Sequence, residues 1–248
     1  MTLLTEPTRI VLAKGQPVPN DPSFAFNSLL LHGDGANGST VITDSSGSPK
    51  TVTAVGNAQI STAVADPFGN STGVLAFDGN GDFLSAVASP SFAFSTGDFT
   101  VEAWVYPTAY PNTYHTISAT RGTIGTVNGW SWNVQNNGTM IVYSNGFTYQ
   151  GTVTGAVPLN AWTHVAFVRS SGNIQIYAGG SANKTGSIAN LANFTIESLW
   201  VGTTGGIATG GGGGGDPFTG YINDLRITKG VARYTANFTP PTAPFPNF

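Results

Sequence analysis

The chain lacks cysteine and carries very little charge. Its 248 residues include 9 Lys and Arg and 12 Asp and Glu, 8 % of the total, against about 25 % in an average soluble domain. Without cysteine there is no disulfide framework, which points away from an extracellular animal module and toward a bacterial or viral origin. The basic residues are scattered singly and the net charge is −3, so no electrostatic footprint for nucleic acid is present. No apolar run approaches the ~20 residues needed to cross a bilayer. The first residues, MTLLTEPTRIVLAKGQP, show no basic segment followed by a long apolar one, so no signal peptide is expected. His32, His115 and His164 have no HxH or HxxxH spacing, which argues against zinc. In place of charge the chain has 33 glycines, 15 prolines and abundant Thr, Ser and Asn, a composition suited to short strands and tight turns. With 40 % of residues apolar and 11 % aromatic, there is material for a sizeable core.

Periodicity gives the fold class. In Ala161–Gly180, AWTHVAFVRSSGNIQIYAGG, two alternating segments flank a Ser-Ser-Gly-Asn turn, the pattern of a β-hairpin. One face carries Trp162, His164, Ala166 and Val168, the other Thr163, Val165, Phe167 and Arg169. Trp162 and Phe167 are both expected in the core. Short strands are expected from Leu29 onward, separated by Asn/Gly/Asp clusters, with Asn-Gly turns at Asn137-Gly138 and Asn145-Gly146. Trp130 and Trp132 share a strand face and read as core, and Lys229–Tyr234 as a single helical turn. Residues 1–27, with Pro7, Pro17, Pro19 and Pro22, read as an extended arm whose Thr8–Ala13 could pair as a strand. Residues 28–238 form the expected domain, and residues 239–248 (TPPTAPFPNF) a proline-rich, extended tail. Gly205–Gly215, with six consecutive glycines, reads as a surface loop.

Few constellations carry chemistry. A retaining glycosidase needs two carboxyls about 5–5.5 Å apart, yet Glu102 and Glu197 have no carboxylate two or four residues away. Gly69-Asn70-Ser71-Thr72-Gly73 matches G-x-S-x-G, but a strand is expected after it where a nucleophile elbow needs a helix. Asp78-Gly79-Asn80-Gly81-Asp82 sets Asp78 and Asp82 on one tight loop. It is either a plain turn or part of a calcium site, to which Asp34 and Asp224 could contribute. The loop YPTAYPNTY places Tyr106, Tyr110 and Tyr114 among prolines, where they could pack inward or offer rigid aromatic faces to a sugar. Extended apolar segments such as Arg9, Ile10, Val11 and Leu12 gain stability by adding an edge strand, which makes them the candidate contact to a partner chain.

The hairpin sequence WTHVA, the strand GDFTVEAWV at Gly97–Val105 and the segment FTGYINDLRITKGVAR at Phe218–Arg233 together resemble the concanavalin A-like, laminin-G-like domains. The resemblance runs from about Leu29 to Phe238 and implies a two-sheet antiparallel jelly-roll sandwich. Members of that superfamily include lectins, glucanases with a Glu-x-Asp-x-x-Glu cluster absent here, and adhesion modules, so fold alone does not assign function. Many laminin-G-like domains hold calcium at the rim, which is what the resemblance adds to Asp78 and Asp82. The continuation TKGVARYTANFTPP resembles phage structural proteins. The expectation is a non-enzymatic virion protein, a capsid decoration, head fibre or tail-fibre adhesin assembled in the host cytoplasm. Its expected partners are other virion proteins, further copies of itself and a host-surface polysaccharide, with neither nucleic acid nor membrane insertion. The competing expectation is a bacterial carbohydrate-binding lectin module or a glycosidase-related domain.

Overall fold

A computed structural model describes residues 20–120, 128–144, 147–150, 154–182, 188–189, 192–205 and 215–248. The expected partner segment Arg9–Leu12 and most of the glycine loop lie outside these residues, as does the turn at Asn145-Gly146. The strands begin with β1 (Asn27–Leu31), β2 (Val41–Ile42), β3 (Val52–Val55), β4 (Gln59–Ser61), β5 (Val74–Asp78) and β6 (Phe83–Ser89). The central strands are β7 (Phe99–Pro107), β8 (Tyr114–Ala119), β9 (Trp130–Gln135), β10 (Met140–Ser144) and β11 (Phe147–Gln150). Last come β12 (Thr163–Ser170), β13 (Asn173–Ala178), β14 (Ser181–Ala182), β15 (Ile188–Ala189), β16 (Glu197–Val201) and β17 (Thr219–Lys229).

They form two antiparallel sheets, as the resemblance implies. Counted over the described residues, the nine-stranded sheet runs β14-β13-β12-β7-β17-β5-β4, with β1 also on β17 and β15 on β13; the eight-stranded sheet runs β11-β10-β9-β8-β16-β6-β3-β2. Side chains from both inner faces interdigitate between them. Phe99, Phe167, Phe194 and Trp130 meet there with ring centroids 4.9–5.8 Å apart, mostly edge-to-face as the ring quadrupole favours. Trp130 and Trp132 are fully buried. The β12–β13 turn has Ser171 at φ 48 and Gly172 at φ 76, the two positive values a two-residue type I′ turn requires.

The structure revises several local expectations. Phe167 is in the core, but Trp162 is only half-buried and lies on the opposite, outer face of the hairpin. That face is closed beyond Trp162 by the segment after β17, not by the second sheet. Arg169 does point inward and is fully buried, donating to the carbonyls of Gly97 (2.7 Å), Ala192 (2.8 Å) and Ser95 (2.6 Å). Desolvation lowers its pKa to about 10, so it stays charged at neutral pH. Lys229–Tyr234 is not helical. Its polar groups bond across to neighbouring segments: Gly230 N donates to Asp98 O (2.8 Å), Arg233 N to Thr100 Oγ1 (2.9 Å), and Val231 O accepts from Thr100 Oγ1 (2.9 Å).

Both ends of the described chain join this outer layer. Asp21 N donates to Phe248 O at 3.1 Å, and Phe238 N to Gly180 O at 2.8 Å. A Cβ on Gly180 would lie 2.0 Å from Phe238 O, so only glycine lets the chain pass this close. The extended segment beyond Thr239 is therefore laid along the sheet, with Phe245 buried.

Candidate functional site

Period-two alternation along β7 decides what the outer face of the nine-stranded sheet carries. Phe99, Val101, Ala103 and Val105 enter the core, so Thr100, Glu102, Trp104 and Tyr106 face out. At the middle of that face Glu102 is fully buried. Arg226, its neighbour on β17, gives Glu102 Oε1 two hydrogen bonds, from Nε (2.9 Å) and Nη2 (2.8 Å). Tyr234 donates its hydroxyl to Oε2 at 2.7 Å, and His164 Nε2 stands 3.3 Å from the same oxygen. Arg226 Nη1 also reaches Asp21 (3.2 Å), which takes two further bonds from Arg233 at 3.0 and 2.8 Å. The Phe245 ring covers the Arg226 guanidinium at 3.5 Å. Two carboxylates and two guanidiniums thus share one buried, hydrogen-bonded layer, the condition under which buried charge is tolerated. Burial alone would raise the Glu102 pKa, but the Arg226 charge, then His164 and Tyr234, outweigh it and hold the carboxyl at about 2.

This arrangement forbids acid–base work. A general acid must be protonated near neutral pH, whereas Glu102 is ionised, fully engaged and closed from solvent. Asp21, on the other side of Arg226, is also held below the usual carboxylate range; burial opposes the shift, but Arg233 and the Ser23 N–H outweigh it.

Beyond Glu102 the outer face turns aromatic. Tyr106 meets Trp162, which precedes β12, on one side (ring centroids 5.4 Å) and Tyr221 of β17 on the other (5.9 Å). Trp104 meets Phe68 at 6.0 Å. All five rings are half-buried. Phe68 arrives on a loop folded around Asp66, which accepts from Phe68 N (2.9 Å), Asn70 N (2.7 Å) and Thr72 Oγ1 (3.2 Å). The G-x-S-x-G segment is part of that loop and leads into β5, so it is a turn and no nucleophile elbow. Trp162 Nε1 pins the same loop through Ala65 O at 2.9 Å.

Of the three tyrosines expected together, only Tyr106 belongs to this group. Tyr110 folds back against the core and donates to Val157 O at 2.9 Å; burial pushes its pKa up. Tyr114 opens β8 in the other sheet and stands edge-on to Tyr143 at 5.5 Å. The ends of the loop belong to strands in different sheets, Tyr106 and Pro107 to β7 and Tyr114 to β8. Sequence reading missed Trp104, Trp162, Tyr221 and Phe68 as surface groups. The signal was available: Trp104 and Tyr106 share parity with the charged Glu102.

The Asp78–Asp82 loop is braced by its own N–H groups and by those of Asn57. Asp82 accepts from Asn57 N (3.0 Å) and Asp78 N (2.7 Å), and Asp78 from Asn57 Nδ2 (2.8 Å) and Asn80 N (2.7 Å). All four carboxylate oxygens are thus engaged, and among the described residues no group of three His, Cys, Asp or Glu could hold a metal ion. Asp224 does not join the loop; it binds His32 and accepts from Phe245 N at 2.9 Å. Calcium wants six to eight oxygens, and this donor set does not fit it. Asp82→Ala is expected to lower stability by about 1–2 kcal/mol, the cost of leaving two part-buried N–H donors without their acceptor. Its melting should be the same in calcium and in chelator; a loss seen only with calcium present would restore the metal.

Solved structures that resemble this chain are toxin binding domains. The binding domain of Paraclostridial Mosquitocidal Protein 1 superposes with a TM-score of 0.60 at 12 % identity, over 84 % of this chain and 50 % of that one. The binding domain of botulinum neurotoxin DC, solved in complex with SialylT, gives 0.56 at 15 %, over 84 % and 49 %. A structure of botulinum neurotoxin type C, whose cell entry is described as dependent on two ganglioside molecules, gives 0.55 at 14 %, over 84 % and 49 %. The chain spans about half the length of these structures, and at such identities the likeness is one of fold. No curated protein sequence matches the chain. Residues 78–233 match the model of the concanavalin A-like lectin/glucanases superfamily, laminin-G type. Its two antiparallel sheets and this match over more than half its length make the chain a member of that superfamily.

Proposed function

We propose that this chain is a non-enzymatic carbohydrate-binding jelly roll displayed on a phage virion. The observation that carries the binding role is the group of half-buried rings on the outer face of the nine-stranded sheet, Trp104, Tyr106, Trp162, Tyr221 and Phe68. Aromatic faces held by a rigid sheet offer apolar area to a sugar ring at little ordering cost, while phenol hydroxyls bind its polar edge. The Tyr106 and Tyr221 hydroxyls make no hydrogen bond within the protein among the described residues. The locked state of Glu102 supports binding without hydrolysis. The toxin domains of like fold, with SialylT or gangliosides named for two of them, support a glycan as the ligand class.

The virion setting rests on the resemblance of TKGVARYTANFTPP to phage structural proteins. Further virion chains, contacted through Arg9–Leu12, and further copies of this chain are the partners assigned to it. A glycan array probed with the purified chain tests the binding role, and an assay for released reducing ends tests the absence of hydrolysis. Binding without release is expected; release of reducing ends would overturn the non-enzymatic reading. Mass spectrometry of purified particles separates a virion protein from a free bacterial lectin, which would be missing from them.

A further inference from the structure

A second feature of the outer face lies across the covering segment from the aromatic group. His164 touches Trp104 on one side (5.3 Å) and Tyr234 and Phe238 on the other (6.2 and 5.6 Å). Past Tyr234 a groove of about 430 Å³ opens along β12 and β13, within the range of about 300–1,000 Å³ usual for small-ligand clefts. Its walls are Ser170, Ser171, Asn173 and Gln175 on the hairpin and Thr235 on the covering segment, with Tyr177 and Tyr234 between.

The groove is built before any ligand arrives. Tyr177 donates its hydroxyl to Tyr234 O at 3.3 Å. The Tyr234 ring stacks on Phe238 at 3.5 Å with 8° between planes, and its hydroxyl is fixed to Glu102. The polar groups along the walls remain available. The hydroxyls of Ser170, Ser171 and Thr235 make no hydrogen bond among the described residues. Asn173 and Gln175 use only their amide N–H groups, on Ser171 O (3.1 Å) and Ile176 O (3.2 Å), which leaves both amide oxygens as acceptors. Hydroxyls that can donate or accept, amide oxygens and tyrosine edges together match a polyhydroxylated ligand.

Charge narrows the class. No lining residue is charged. Arg233, next to Tyr234 in sequence, is engaged by Asp21, Asn27 and Thr228. Asp98 sits at the turn, accepting from Ser171 N at 2.8 Å, where it would repel an anion. A carboxylated sugar would lose its hydration here with no cation to receive it. A peptide strand is disfavoured for a different reason: β13 is paired with β12 along its length and, among the described residues, with β14 at Tyr177 and Ala178 and with β15 at Asn173 and Ile174 on its other side, so little of its backbone is left to pair with a peptide.

We infer that this groove is a binding site for an uncharged saccharide, separate from the aromatic face. The inference rests on the reading of the chain as a glycan-binding module and adds to it a second site and a ligand class. The test uses the full chain on an array carrying both uncharged and sialylated glycans, followed by titration of the strongest uncharged hit. The variants are Ser170→Ala with Gln175→Ala for the groove, and Trp162→Ala for the aromatic face. Melting of the groove variant should match the wild type, because neither side chain touches the core. The groove variant should bind about tenfold more weakly, as expected for one or two lost hydrogen bonds. Wild-type binding to sialylated glycans only, or titration unchanged in the groove variant while Trp162→Ala abolishes it, would overturn the groove and leave the glycan reading standing. No binding to any saccharide on the array would overturn both.

Discussion

Arg226→Met is expected to destabilise the domain by about 3–5 kcal/mol at neutral pH, the usual cost of leaving a buried charge without its partner. Among the described residues Arg226 is the one that hydrogen-bonds both Glu102 and Asp21, Arg233 coming only within 3.8 Å of Glu102, and Glu102 has no exposure through which water could replace it. Met keeps an apolar stem of similar reach but gives up the guanidinium that lies under Phe245, so the loss reports chiefly on the removed charge and its contacts. The pH dependence follows from the sign of the shift. Glu102 has its folded pKa lowered from 4.5 to about 2, so its contribution is complete above about 4.5 and is lost as pH falls toward 2. Asp21, also lowered, acts in the same direction. In the variant Glu102 loses its strongest opposing charge and desolvation governs, so the carboxyl titrates higher. The stability gap between wild type and variant should then narrow as pH drops below 4.5. Denaturant titrations at pH 7 and pH 3.5 measure both effects; equal stability at pH 7 would mean that the ion layer is not what closes this face.

The second large effect concerns the hairpin. Phe167→Ala should cost about 3–5 kcal/mol, since a buried ring is removed and its cavity remains. Phe167 has no solvent exposure and lies 4.9 Å from Phe99 and 5.8 Å from Trp130, centroid to centroid. Trp162→Ala should cost only about 1–2 kcal/mol, from one lost hydrogen bond to Ala65 O and partial burial. The ranking is the test. A larger loss for Trp162 would place the hairpin one residue out of register, because a single-residue slip exchanges the two faces.

That pair also shows what sequence could and could not supply. Alternation correctly separated the Trp162/His164 set from the Val165/Phe167 set, since strand geometry alone fixes parity. It could not say which set met the second sheet, because both are rich in aromatic and apolar residues. The reason lies in residues about 70 positions further along: the segment holding Tyr234 and Phe238 returns to cover β12, so its outer face became apolar as well. The turns at Gly138 and Gly172, where glycine takes positive φ, were legible from their Asn-Gly and Ser-Gly sequences. The ion layer was not legible, because Asp21, Glu102, Arg226 and Arg233 come from widely separated segments and each looks like an isolated charge. The YPTAYPNTY loop failed for a related reason. Its tyrosines are close in sequence, but β7 and β8 belong to different sheets, so nearness along the chain did not become nearness in space.

The proposed binding role puts the working surface on the outer face of the nine-stranded sheet. One part is sealed by ion pairs and by the segment running to Phe248, and the part beyond Glu102 keeps five rings half open. The most direct measurement takes an array glycan whose binding the Ser170→Ala, Gln175→Ala groove variant leaves unchanged, and titrates it against the wild type and against Tyr106→Ala with Trp162→Ala, with melting recorded for both. The account predicts a folded double variant whose affinity falls by about tenfold or more, as removal of two stacking rings implies. Unchanged affinity in a folded double variant would contradict it.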